Sequence, residues 1–131
     1  MTSLPLLVVD AANVMGARPE DKWWRDRAGT ARRLLSRLTG WPQEDWDVTL
    51  VVEGVARAGV PEGDADGVRV VHAQGSGDDE IVRVVADSAG SDAGRPVTVV
   101  TADRELCQRV RALGAETAGP GWLCRRLDPA P

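Results

Sequence analysis

The chain has 131 residues and a mass of 14.0 kDa, the size of one ordinary domain with a single hydrophobic core. Hydrophobic residues make up 43% and charged residues 27% of the sequence, a balance that excludes disordered and fibrous classes. The net charge is −4 and the pI is near 5.0, so the overall charge does not indicate a nucleic-acid binder.

The first half of the chain predicts two buried strands joined by a helix. Residues 4–9 form a continuous apolar run, typical of a strand that is buried on both faces. Apolar residues then recur at steps of three and four from 21 to 39, which predicts an amphipathic helix. Residues 48–52 predict a second buried strand, and the Gly-, Pro- and acid-rich stretch 54–67 predicts a surface loop. The apolar helix face comprises Trp24, Ala28, Ala31, Leu35 and Leu38.

The second half of the chain continues the alternation of strands and helices. In order it predicts strand 68–72, helix 78–89, loop 90–96, strand 97–101, helix 103–113 closed by Gly114, strand 115–118, a helical turn at 120–127 and a frayed tail at 128–131. We therefore predict a single α/β domain over residues 1–127 with a mainly parallel sheet.

The sequence also bears on membranes and redox compartment. The longest apolar run, 4–9, is far shorter than the ~18 residues that a membrane-spanning helix needs, and no cationic segment precedes it as in a secretory signal. The two cysteines, Cys107 and Cys124, form neither a disulfide framework nor a zinc set. We therefore expect a cytoplasmic protein without a membrane partner.

Carboxylates fall at the ends of successive predicted strands. Ligands of open α/β sheets bind beyond the carboxyl ends of the strands, so parallel strands would bring these acids to one edge. Clustered carboxylates repel one another and raise one another's pKa values unless a cation compensates them. A hard divalent cation such as Mg²⁺ or Mn²⁺ prefers such oxygen ligands. The acids are Asp10, Glu53, Asp78, Asp79 and Asp103.

Several of these residues also have a structural interpretation. Asp103 stands where a helix N-cap is expected, and Asp78 and Asp79 suit the positive end of a helix dipole. Asp10 directly follows a buried apolar run, gains nothing from packing there and needs a partner. Asn13, the only Asn in the chain, either caps the turn after Asp10 or orients a metal-bound water or a carboxylate.

Other catalytic patterns do not occur in the sequence. There is no GxxxxGK[ST] phosphate loop, and Gly75-Ser76-Gly77 is too short for a dinucleotide-binding fingerprint. The single histidine is His72, and the sequence has no Ser or Cys in a nucleophile-elbow pattern for which it could act as the base. It is either a strand-end residue or a substrate contact.

Arginine and tryptophan could serve nucleic-acid binding or packing. Fifteen of the 16 basic residues are Arg, while Phe and Tyr are absent, a bias typical of GC-rich coding that weakens Arg abundance as a phosphate-binding signal. The five Trp residues either stack on bases or replace the missing aromatic core residues. Arg18 and Arg25 follow Asp10 closely enough to be phosphate contacts.

Three segments, in this order, resemble the motifs of the NYN domain, in particular its YacP-like branch within the PIN-like nuclease superfamily. They are VVDAANV at 8–14, GSGDDEI at 75–81 and VVTADREL at 99–106, and the likeness extends over nearly the whole chain. The resemblance implies a three-layer α/β/α fold with a parallel sheet in the order 3-2-1-4-5. It also implies a metal-dependent endoribonuclease site that uses Mg²⁺ or Mn²⁺.

The resemblance assigns roles residue by residue. It makes Asp10, Asp78 and Asp103 metal ligands, with Glu105 as the second acid of the last motif. Asn13 is the companion of Asp10 in the Asp-x-x-Asn motif, and Asp79 matches the second acid of the Asp-Asp pair. Where the family commonly has Gly and an aromatic residue, this chain has Ala11 and Ala12, a departure that concerns substrate positioning. We expect the substrate contacts to include Arg18, Arg25, Ser76 and Thr101.

Two functions follow from these observations. The first is a metal-dependent endoribonuclease acting on single-stranded or structured RNA, with the ribosome or an antitoxin protein as further partners. The second is a catalytically silent module that recruits RNA or a protein through the Arg-bearing helix and the stretch 54–67. Metal binding discriminates between them, because a silent module has no need of a divalent site.

Overall fold

The structure is a computed structural model that describes residues 4–41, 44–91 and 94–128. Six strands and five α-helices occur along these residues. The strands are β1 (Leu6–Asp10), β2 (Asp47–Val52), β3 (Gly63–Ala65), β4 (Val68–His72), β5 (Val97–Val100) and β6 (Glu116–Ala118). The helices are α1 (Ala11–Gly16), α2 (Arg27–Gly40), α3 (Gly77–Ser91), α4 (Arg104–Arg111) and α5 (Pro120–Leu127).

The sheet has the strand order β3-β4-β2-β1-β5-β6. All neighbouring pairs are parallel except β3 with β4, which is antiparallel. The five predicted strands therefore have the predicted order 3-2-1-4-5, and the sixth strand, β3, extends the sheet at one edge. Because β1 lies centrally between β2 and β5, its carboxyl end is flanked on both sides by other strand ends.

Alternate residues of β1 supply two separate cores. Leu7 and Val9 pack on one face with α1, α2 and α5, whereas Leu6 and Val8 pack on the other face with α3 and α4. This period-two division explains why the whole strand is buried and why its sequence is a continuous apolar run. The predicted three-layer α/β/α architecture is confirmed.

The predicted helix 21–39 begins later than its apolar pattern indicates. Residues before Asp26 form 3₁₀ turns, and Asp26 caps α2 by accepting a hydrogen bond from the Gly29 N–H at 2.9 Å. Trp24, assigned to the apolar face, is 50% exposed. Ala31 and Leu38 are buried as predicted, and Gly29, Thr30 and Leu34 complete the buried face of α2.

The predicted loop 54–67 is largely ordered structure. It contains a 3₁₀ segment, Gly54–Gly59, and the strand β3. The turn from β3 into β4 is made by Asp66 and Gly67, whose φ angles of 47° and 92° are left-handed. An Asp-Gly pair is a strong signal for such a two-residue hairpin, but the acidic residues and glycines that surround it favour a loop over the whole stretch.

The ends of three further predicted segments also change. Helix α1 occupies the residues after Asp10 that were interpreted as a turn. Helix α3 continues to Ser91, which shortens the predicted loop 90–96, of which 92 and 93 lie outside the described residues. Of the predicted frayed tail 128–131, only Asp128 is described, and its carboxylate forms ion pairs with Arg18 and Arg37.

No helix among the described residues is long and apolar enough to cross a membrane.

The 3₁₀ segment Gly54–Gly59 packs closely on α2, and this contact yields a stability prediction. A Cβ at Gly59 would lie 1.9 Å from the Ala28 carbonyl oxygen, so Gly59→Ala forces two backbones apart. We expect it to lower the free energy of unfolding by about 1–3 kcal/mol, measured by urea denaturation. Gly90→Ala is the control, since no atom lies within 4 Å of its added Cβ; we expect it to stabilise helix α3 by about 0.5–1 kcal/mol. Equal stability of Gly59→Ala and wild type would contradict this packing.

Candidate active site

An open cleft of about 350 Å³ lies at the carboxyl edge of the sheet. Its lining comes from the end of β1, from the residue after β2, and from the starts of α3 and α4. Its lining is mainly acidic, as the repeated strand-end carboxylates predict. The residues that line it are Asp10, Ala12, Asn13, Glu53, Ser76, Asp78 and Asp103.

Asp10 is the most buried acid of this cleft, with 6% of its surface exposed. One carboxylate oxygen accepts a hydrogen bond from the Asn13 N–H at 3.3 Å and thereby caps α1; the other accepts one from the Thr101 hydroxyl at 2.9 Å. Burial raises the pKa of Asp10 from 3.8 to about 6, with smaller upward contributions from Asp78 and Glu53 that the two hydrogen bonds oppose. A carboxylate held in this way is poised to attract a cation or a proton.

Thr101 supports Asp10 from behind the cleft. Its side chain is 2% exposed, donates to Asp10 and accepts a hydrogen bond from the Asp103 N–H at 3.2 Å. The hydroxyl therefore joins the ends of β1 and β5 and donates to Asp10, so Thr101 positions this carboxylate; its predicted substrate contact stays a prediction.

We expect Thr101→Val to lower the free energy of unfolding by about 1–2 kcal/mol, because it leaves the Asp10 carboxylate without a buried donor. It should also raise the pKa of Asp10 further, since the lost hydrogen bond favours the charged form. Urea denaturation and a carboxyl-carbon NMR titration measure the two effects, and Thr101→Ser should restore both. An unchanged pKa of Asp10 in Thr101→Val would refute this role.

Asn13 joins the first helix to the turn before α4. Its side-chain oxygen accepts a hydrogen bond from the Ala102 N–H at 2.8 Å, while its backbone N–H donates to the Asp10 carboxylate. The cap of α1 is Asp10 and not Asn13, so the interpretation of Asn13 as a cap is wrong, and its role in orienting a metal-bound water stays a prediction. Through this bond, the Asn13 side chain links helix α1 to the residues that follow β5.

Asp78 and Asp103 stand at the starts of two helices. Asp103 is the N-cap of α4 and accepts a hydrogen bond from the Leu106 N–H at 3.0 Å, so its structural interpretation is confirmed, and its side chain also lines the cleft. Burial raises the pKa of Asp78, and the negative charges of Asp103 and Glu53 raise it further. The positive charge of Arg109 lowers this pKa and so opposes the shift. Capping and lining are compatible because a carboxylate has two oxygens.

Glu53 belongs to this cleft more firmly than the sequence motifs indicate. It follows β2, and one carboxylate oxygen accepts a hydrogen bond from the Gly77 N–H at 2.9 Å. A Cβ at position 77 would lie 3.0 Å from the Glu53 carboxyl carbon, so glycine there lets helix α3 begin directly against this acid. The strand-end rule identified Glu53, whereas the family motifs do not include it.

Other predicted site residues lie elsewhere. The described lining of the cleft does not include Asp79 or Glu105: Asp79 pairs with Arg109 at 2.9 Å, and Glu105 is exposed on α4. Ser76 does line it, and its hydroxyl lies 3.4 Å from the Asp79 N–H. Arg18 pairs with Glu20 and Asp128.

Two further predicted contacts are likewise outside the lining. Arg25 is exposed on a 3₁₀ turn, and the described lining of the cleft does not include it. The His72 ring nitrogen lies 2.7 Å from the Val60 carbonyl oxygen, which favours the strand-end interpretation of this residue. Neither side chain therefore takes part in the acidic cleft.

The arrangement of strands and helices matches a solved protein. The crystal structure of Rae1 (YacP) from Bacillus subtilis superposes with a TM-score of 0.74 over 95% of this chain and 75% of that chain, at 18% identity. The chain has a YacP-like fold. The predicted resemblance is thus confirmed for the fold. No protein-family model matches the sequence, and no curated protein matches it.

The metal predicted for this YacP-like domain can be tested against the donors present. Within residues 4–41, 44–91 and 94–128, no group of three or more His, Cys, Asp or Glu side chains is arranged to hold a metal ion. The donor chemistry nevertheless fits a hard cation, since four carboxylates line one cleft and the pKa values of Asp10 and Asp78 are raised. Mg²⁺ commonly keeps several waters and takes only one or two protein carboxylates, which these residues can supply.

Proposed function

We propose that the chain is a divalent-metal-dependent endoribonuclease and that the acidic cleft is its active site. The observation that carries the proposal is the convergence of Asp10, Glu53, Asp78 and Asp103 on one cleft at the carboxyl edge of the sheet. Such a concentration of negative charge is costly without a cation. The YacP-like fold and the motif resemblance support RNA as the substrate.

The residues that would hold Mg²⁺ or Mn²⁺ are Asp10, Asp78 and Asp103. Glu105 is further from this role, because the described lining of the cleft does not include it. When bound, such a cation neutralises charge on the phosphodiester and lowers the pKa of a water for in-line displacement. Thr101 holds the Asp10 carboxylate in place, and Asn13 fixes the turn that carries Asp103.

The same proposal covers the setting in which the enzyme acts. An RNA substrate places the protein in the cytoplasm, with the ribosome as a means of presenting RNA or an antitoxin protein as an inhibitor. With a net charge of −4 and an acidic cleft, the chain repels phosphates until cations fill the cleft. Cation binding is therefore a condition for RNA to approach the carboxylates.

The second candidate is a catalytically silent RNA- or protein-binding module. It is favoured by one observation, namely that the described residues hold no preformed group of three metal-binding side chains. A silent module has no selective need for a divalent site, whereas the nuclease requires one. Metal binding therefore separates the two candidates before any substrate is known.

Calorimetric titration of Mn²⁺ into the wild-type protein tests the proposal. We expect saturable binding that Asp10→Asn weakens at least about tenfold. Asp87→Asn is the matched control, since Asp87 is exposed on α3 and lines a different pocket; it should bind Mn²⁺ as wild type does. Wild-type protein that binds no Mn²⁺ at millimolar concentration would favour the silent module.

A further inference from the structure

A second pocket, of about 340 Å³, adjoins the acidic cleft. The two cavities share Ala12 and Glu53 in their linings. The volume falls at the low end of the ~300–1,000 Å³ found for small-molecule pockets. We name it the tryptophan pocket, after its largest side chain. It is lined by Ala11, Ala12, Met15, Trp23, Arg27, Glu53, Gly54, Val55 and Ala56.

Trp23 gives this pocket an aromatic wall. Its indole is half-buried against the core, and its benzene edge lies beside Gly16, where an added Cβ would be 3.9 Å from the ring. Trp24 meets it edge to face, with ring centroids 6.1 Å apart. The indole is thus held in a fixed orientation, which lowers the entropic cost of stacking a ligand on it.

The rim of the pocket combines apolar and cationic groups. Val55 is 66% exposed, an unusual position for a large aliphatic side chain. Arg27 is exposed, and its guanidinium carbon lies 5.4 Å from the Trp23 ring centroid. An arginine beside an aromatic face can stack on a base or contact a phosphate.

We propose that the tryptophan pocket binds a nucleobase of the same single strand whose phosphodiester enters the acidic cleft. This inference rests on the proposed function and assigns it a substrate contact. The acidic cleft repels the RNA backbone, so affinity has to come from contacts that do not depend on phosphate charge. Base stacking on an aromatic ring is such a contact, and the shared border at Ala12 and Glu53 lets one nucleotide chain occupy both cavities.

Base removal along a short, end-labelled oligoribonucleotide tests this proposal. Fluorescence anisotropy measures binding in Ca²⁺, and a gel confirms that the strand remains intact. In wild type, an abasic site at one position should weaken binding by about 5- to 150-fold, the effect of losing one stacked base. Abasic sites at positions outside the pocket should have little effect.

Three variants assign the penalty to the pocket. Trp23→Leu removes the aromatic wall, and we expect the abasic penalty to fall below about twofold. Val55→Glu places a carboxylate at the exposed rim and should have the same effect, and its exposed position keeps the test valid if Trp23→Leu fails to fold. Leu113→Glu is the matched control for Val55→Glu, since Leu113 is also an exposed aliphatic residue and is not part of the pocket's described lining; it should keep the wild-type penalty.

Each remaining result would overturn the proposal. In the first, wild-type protein binds equally well whichever position is abasic. In the second, Trp23→Leu keeps the full abasic penalty. In the third, wild-type protein shows no saturable binding of the oligoribonucleotide. Equal binding of intact and abasic strands would favour an apolar side chain of a protein partner as the occupant. Cleavage in Mn²⁺ by the same preparations reports the proposed function separately. Cutting without an abasic penalty would support the nuclease and refute base binding in the pocket. An abasic penalty without cutting would support base binding and count against the nuclease.

Discussion

Asp10→Asn should lower the rate of RNA cleavage at least about 100-fold, the loss expected when a group that stabilises transition-state charge is removed. Asn keeps the size of the side chain and an oxygen that can accept the hydrogen bond from Thr101 or from Asn13. It removes the negative charge that, in the proposed mechanism, holds the cation. Initial rates on an end-labelled RNA in Mn²⁺ measure the effect.

The control for this prediction carries the same chemical change elsewhere. Asp87→Asn removes one negative charge from an exposed position on α3 and should cleave at the wild-type rate. Asp103→Asn is also informative, because Asn remains a good N-cap; the loss of activity would then come from the cleft and not from helix α4. An Asp10→Asn protein that is folded and cleaves at the wild-type rate would refute the catalytic role of Asp10.

In the metal-free protein, the contribution of Asp10 to the free energy of unfolding should increase as the pH is lowered from 7 towards 4. The native pKa of Asp10, about 6, lies above the unfolded value of 3.8, so in this window the native state binds the proton more tightly. Stability is therefore gained as pH falls through 6 and approaches its limit near 4. The difference corresponds to about 2 kcal/mol between pH 4 and pH 7.

Asp10→Asn isolates this effect from all other titrating groups. Urea denaturation in EDTA at several pH values should show the variant gaining about 2 kcal/mol on wild type as the pH rises from 4 to 7. The direction of this pH dependence bears on function. The free energy that a proton supplies by neutralising the buried Asp10 carboxylate can also be supplied by a cation that binds it. A difference between the two proteins that does not change with pH would show that Asp10 titrates normally.

The parts of the fold that the sequence predicts are those with long, strongly periodic patterns. The continuous apolar run in β1 identified a central strand, and the strand-end position of Asp10, Glu53 and Asp78 placed them at one edge. Each of these inferences depends on local residue order and on the general geometry of parallel sheets. The resemblance added the order of the strands, which no local pattern encodes.

The features that the sequence does not predict depend on competition between local signals and on contacts between distant residues. Trp24 continues the helical spacing of α2, yet Asp26 caps the helix two residues later and leaves the indole exposed. Asp79 and Asp78 are adjacent in sequence, but successive helix residues point in different directions, so only Asp78 lines the cleft. Thr101 became a positioning residue because its hydroxyl meets Asp10 across two strands, a contact that only the folded chain defines.

The central claim is that the acidic cleft cuts RNA with the help of a divalent cation. Cleavage of an end-labelled RNA by the wild-type protein in Mn²⁺, in Mg²⁺ and in EDTA tests this claim most directly, with Asp10→Asn from an identical preparation beside it. We predict internal cutting with either cation, no cutting in EDTA, and no cutting above background by Asp10→Asn. Cutting that persists in EDTA, or that is equal in both proteins, would contradict the account.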